Sequence, residues 1–204
     1  MQSEYKCLLL TCPYCGAKKA VVNRVFGDSF SRTVWSDNKV IAPTQPKASF
    51  VQKCTACGSY YLLSQQTVEY SNGCSTESDE LSYEEMKEAW SFVQKHRNLT
   101  ENERLAMLIM QVWRFNDKYT RNGEVSIPNV EYKYIVGIID QLLELDMVDD
   151  FLKAEMLRER GRFDEAIELF DKCFAGNSFL KDIKSKFKEY SLRSDTRPFV
   201  IGST

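Results

Sequence analysis

With 204 residues, 43% of them hydrophobic and 27% charged, the chain has enough apolar material for a real core and reads as one domain or two small ones. A net charge of −2 excludes a global pull towards nucleic acid or an acidic membrane. No stretch approaches the roughly 18 apolar residues of a membrane span, and Leu8-Leu9-Leu10, cut off by Cys12-Pro13, is too short for the apolar part of a signal peptide.

Residues 1–10 read as a short strand that feeds Cys12-Pro13-Tyr14-Cys15-Gly16. Ala20 to Phe26 is β-rich and reads as a second strand, broken by Gly27-Asp28. Phe30–Trp35 and Lys39–Ile41 flank Ser36-Asp37-Asn38 as a hairpin, which Pro43 and Pro46 end. Phe50–Lys53 leads into Cys54-Thr55-Ala56-Cys57-Gly58, and Tyr60–Leu63 leads out as a further strand. Residues 71–80 are polar and read as a linker. The charge changes sign there. Residues 1–74 hold eight basic and four acidic side chains, and the remainder holds 19 and 25.

Helices follow. Ser82 and Glu85 form a capping box, Leu81 and Met86 a hydrophobic staple, and Met86, Ala89, Trp90 and Val93 the apolar stripe of a helix over 83–96. Thr100 and Glu103 cap a second helix that runs to about Lys118. Pro128-Asn129 opens a third, Asp149–Arg160 is a fourth, Phe163–Phe174 a fifth and Ser178–Tyr190 a sixth. The tail from Arg193 is expected to be partly ordered at best. The sequence thus predicts an α+β protein: a small antiparallel β module over 1–70, a linker over 71–80, a domain of antiparallel helical hairpins over 81–192, and a tail over 193–204.

Two Cys-x-x-Cys-Gly turns are the strongest chemical signal. Each turn can present two sulfurs to one ion, and two turns complete a tetrahedral shell, so Cys12, Cys15, Cys54 and Cys57 are the expected ligands of one zinc ion. A closed four-cysteine shell has no open position for water, which makes the metal structural. A thioredoxin-like redox pair would need a βαβ setting that is missing, and iron–sulfur ligation fits the count but less well the paired-turn form. Lys18, Lys19 and Lys53 lie beside the turns and are expected to soften the thiolate charge. Cys7 and Cys173 read as small core residues. Cys74, in the linker, receives no role. Seven cysteines, four of them in metal turns, favour a reducing cytoplasm.

Over residues 7–63 these turns resemble a zinc ribbon, with the Phe30–Ile41 hairpin as an insertion; the four turn cysteines are that family's ligands. The segment Trp35-Ser36-Asp37-Asn38-Lys39 is similar to a turn in uncharacterised bacterial proteins that join such a ribbon to helices. Arg160–Cys173 resembles the second helix of a tetratricopeptide (TPR) repeat. Gly161 falls at the interhelical turn, Ala166 and Phe170 at packing positions, and Ala154 and Leu157 in the preceding helix. No second copy follows at the 34-residue period, so a TPR-like hairpin is expected rather than an array.

Catalysis finds no motif. His96, the single histidine, sits at a helix end, and no metalloprotease, P-loop or nucleophile-elbow signature occurs. The expectation is a non-enzymatic module that binds an unknown protein partner as a scaffold, with no membrane association. The competing reading is a nucleic-acid-binding accessory protein whose ribbon offers Tyr14, Trp35, Tyr60 and Tyr61 as stacking groups.

Overall fold

The computed structural model describes residues 4–26, 32–42, 48–67, 69–71, 80–121, 126–173 and 181–203. Eight strands and six helices are seen among them. The strands are β1 (Glu4–Thr11), β2 (Lys18–Phe26), β3 (Thr33–Trp35), β4 (Val40–Ile41), β5 (Val51–Lys53), β6 (Tyr60–Leu62), β7 (Glu69–Ser71) and β8 (Val200–Ser203). The helices are α1 (Tyr83–His96), α2 (Glu101–Tyr119), α3 (Asn129–Leu143), α4 (Asp150–Glu159), α5 (Phe163–Cys173) and α6 (Lys181–Leu192). The pairs β1–β2, β1–β7, β3–β8 and β5–β6 are antiparallel, and the class is α+β as expected. No helix among the described residues is long and apolar enough to cross a membrane.

The chain forms two compact units. The first comprises residues 1–32, 41–107 and 204; the second comprises 33–40 and 108–203. This differs from the expected division at residue 75, which ran along the chain. The Ser36 turn belongs to the helical unit, and α1 belongs with the ribbon-like hairpins. Apart from its two ends, the expected linker 71–80 lies outside the described residues.

In the first unit, β2, β1 and β7 form one sheet, and β5 and β6 a separate hairpin. Leu8, Leu10 and Cys12 alternate inwards along one face of β1, and with Val21, Cys54 and Tyr61 they make a core cluster. Helix α1 begins where its cap predicts. The Ser82 hydroxyl accepts from the Glu85 amide at 3.2 Å, and the Glu85 carboxylate accepts from the Ser82 amide at 3.0 Å. Its buried stripe of Tyr83, Met86, Ala89, Trp90 and Val93 includes the four residues read from the sequence. Lys53 pairs with Glu85 at 2.9 Å, and the Tyr60 hydroxyl donates to Glu88 at 2.7 Å, tying α1 to the β5–β6 hairpin.

In the second unit, Ala154, Leu157, Ala166, Phe170, Phe187 and Phe199 form one buried cluster. Helix α4 ends at Gly161, whose φ of +85° permits two closing bonds: Gly161 N–H to Arg158 C=O and Arg162 N–H to Leu157 C=O. The tail, expected to be loose, is integral. Strand β8 pairs with β3, Phe199 is buried, and Arg158 donates to the carbonyls of Asp195 and Arg197. At the hairpin tip, Ser36 and Asp37 are buried in this helical unit and Asn38 is half-buried. Ser36 donates to Glu155 and accepts from the Phe199 amide, while Asp37 takes bonds from Asn116 and Arg121.

Candidate metal centre

The two cysteine turns are the same structure built twice. Each fills the six residues between paired strands: Cys12–Ala17 between Thr11 and Lys18, and Cys54–Ser59 between Lys53 and Tyr60. In the first, Cys12 N–H reaches Ala17 C=O at 2.8 Å and Gly16 N–H reaches Cys12 C=O at 2.9 Å. In the second, the matching bonds are Cys54 to Ser59 at 2.9 Å and Gly58 to Cys54 at 2.8 Å. Gly16 and Gly58 have φ of +74° and +75°, a conformation a side chain would strain.

This construction gathers all four sulfurs within 4.8 Å of one another. Across the turns, Cys12 Sγ lies 3.7 Å from Cys57 Sγ and Cys15 Sγ 3.6 Å from Cys54 Sγ. A tetrahedron with arms of about 2.3 Å has edges of about 3.8 Å, so the spacing suits one zinc-sized ion coordinated by four thiolates. The burial alternates: Cys12 and Cys54 are in the core, and Cys15 and Cys57 face solvent. Strand pleat buries the first cysteine of each turn, and the turn lifts the second out.

The electrostatics of the four thiols are uneven. Ser59, through its hydroxyl and its amide, draws Cys57 down to about 6. At Cys15 the Ala17 amide pulls the same way, but the hydrogen bond with Cys57 and the lost hydration outweigh it and push Cys15 up to about 12. One thiolate makes the next more costly, and four coexist only around a positive ion. Lys53, expected to soften the thiolate charge, has partners of its own. It is held by Glu85 and lies 5.5 Å from the Tyr60 ring centroid. Lys18 stands 3.8 Å from Glu69.

The remaining sequence candidates sort differently. Tyr14, in the first turn, is exposed and meets Phe92 edge-on at 5.4 Å. Tyr60 and Tyr61 are buried and so are not available for stacking, while Trp35 is half-buried with the Arg121 guanidinium 4.4 Å from its ring centroid. His96 does interact at its helix end, bonding the Phe92 carbonyl at 2.7 Å and stacking on the Phe92 ring. Cys7 corrects the sequence reading. It is half-buried and disulfide-bonded, which removes one premise of the argument for a reducing compartment. Cys173 is half-buried.

Sequence reasoning missed the buried polar cluster of the helical unit: Ser36, Asp37, Asn116, Glu155, Arg158 and Glu159. Only the odd composition of the Ser36-Asp37-Asn38 turn could have signalled it. No family model matches the chain, and no curated protein and no solved structure matches it.

Proposed function

We propose that Cys12, Cys15, Cys54 and Cys57 hold one structural zinc ion in a zinc-ribbon-like module, and that the protein is a non-enzymatic scaffold that binds other proteins through its helices. The observation that carries the metal reading is the set of cross-turn sulfur distances, 3.6 and 3.7 Å, between two turns of identical construction. The scaffold reading is supported by the TPR-like pair α4–α5, whose small residues Ala154 and Ala166 are fully buried in one cluster while Asp164, Glu165 and Glu168 stay exposed. The four thiols must stay reduced to take the ion, a condition the cytoplasm supplies; the disulfide at Cys7 is the feature at odds with that setting.

Metal analysis of protein purified without chelator tests the first part. One zinc per chain is expected, lost with Cys12→Ser; zinc-free or iron-loaded protein sinks it. The second part is tested by affinity capture with wild type and with a variant reversing charge at Asp164 and Glu168. Identical partner sets for both, or capture of RNA or DNA that falls steeply with salt, would turn the reading towards the nucleic-acid alternative.

A further inference from the structure

Within the helical unit, a cleft of about 590 Å³ lies between the end of α2, α6 and the tail. That volume suits a small molecule rather than a polymer. One part of its wall is aromatic: Trp35, Tyr190 and Phe199, with the last two rings 4.8 Å apart. Another part is cationic: Arg121, Lys186 and Arg197. The single carboxylate of the lining, Glu189, is paired with Arg193 at 2.9 Å.

The cations differ in what they offer. The Arg121 side chain is buried and bonded to Asp37 and Asp117, so it serves as a rigid wall whose charge is already balanced. Arg197 is bonded to Asp195 at 2.6 Å. Lys186 is exposed, and among the described residues its one bond is to the Val200 carbonyl at 3.1 Å. Its charge meets no carboxylate there. An ammonium beside a set of rings recognises a flat molecule with a negative group at its edge.

We propose that this cleft binds a small planar anion, a ring bearing one carboxylate or phosphate, with the ring against the half-buried Trp35 and Tyr190, the latter backed by buried Phe199, and the anionic group on Lys186. The site shares no residue with the cysteine cluster.

Titration calorimetry on the full chain tests this with two matched pairs: naphthoate against the neutral naphthamide, and adenosine monophosphate against adenosine. At least one anion should bind saturably with Kd below about 1 mM, its neutral partner about tenfold more weakly or worse. Binding of naphthoate alone assigns a carboxylate ligand, of the nucleotide alone a phosphate. Lys186→Gln, at an exposed position and with its fold checked by circular dichroism, should abolish the preference for the charged member. Equal binding of charged and neutral probes, no saturable binding of either anion, or an unchanged preference in Lys186→Gln would overturn the proposal.

Discussion

Glu159 is a buried acid with too few partners. Asn116 donates to its Oε2 at 3.1 Å, while its Oε1 is buried and makes no hydrogen bond among the described residues. Burial first, and then the neighbouring Glu155 and Asp37 charges, raise its pKa well above the usual carboxylate value, against the pull of Arg158 and Asn116. The sign follows. An unfolded glutamate ionises near about pH 4.3. Above that pH the folded chain still holds the proton and the unfolded chain does not, so stability falls as pH rises towards the folded pKa, by about 1.4 kcal/mol per pH unit. Glu159→Gln should therefore raise Tm at about pH 8 and change it little at about pH 4. A loss of stability that is the same at both pH values would mean that folding does not shift the Glu159 pKa. Gly161 gives a simpler case. A Cβ there would meet nothing within 4 Å, so only the φ of +85° opposes it. Gly161→Ala should cost about 1 kcal/mol, a Tm fall of roughly 2–4 °C. The sequence disclosed Gly161 and the four turn cysteines because each obeys a rule spanning a few residues. It could not disclose what Asp37 does, since its partners Asn116 and Arg121 lie far along the chain.

Elements whose ends are set by local chemistry were readable almost to the residue. Helix α1 is the clearest. The Ser82–Glu85 exchange satisfies amides that the helix itself cannot, and Leu81 and Met86, both buried, close the staple behind it. Ser82→Ala should cost about 1 kcal/mol in thermal or urea unfolding. The loss should come from the hydroxyl that caps the Glu85 amide, since the Glu85 carboxylate, held below its usual range first by Lys53 and then by the backbone amide of residue 82, keeps both of those partners in the variant. A neutral Ser82→Ala would show that the first turn of α1 is fixed by its packing alone. Strand β8 is the contrary case. Val200–Ser203 is short, contains Gly202, and among the described residues pairs with β3. No periodicity within a four-residue strand reports a partner that far along the chain. The tail's other anchor is just as silent. Arg158 reads as one more charged residue of α4, yet it is fully buried, bonded to Glu155 and to two tail carbonyls.

At the scale of the molecule, the charge reversal near residue 75 suggested two modules in tandem, and the compact units follow a different division. The helical unit takes residues 33–40 from within the N-terminal half, and the other unit keeps α1 and the start of α2. This has a thermodynamic consequence. A fragment of residues 81–204 would retain Arg121, Asn116 and Glu155 but lose Asp37 and Ser36, which bond them. Removing one side of a buried, bonded charge pair typically costs about 3–5 kcal/mol, because the other charge stays buried without compensation. A domain holds only about 5–15 kcal/mol in total. The same fragment would also leave β8 without β3, its pairing strand. The fragment should therefore show reduced helicity and a broad, weakly cooperative urea transition by circular dichroism, where the full chain unfolds sharply. Adding residues 33–40 as a separate peptide should sharpen the transition, and the same peptide with Asp37→Ala should not. A fragment that melts as sharply alone as the full chain would show that the hairpin is an ornament on the helical unit. In that event the buried Asp37–Arg121 pair would owe its place to something other than stability.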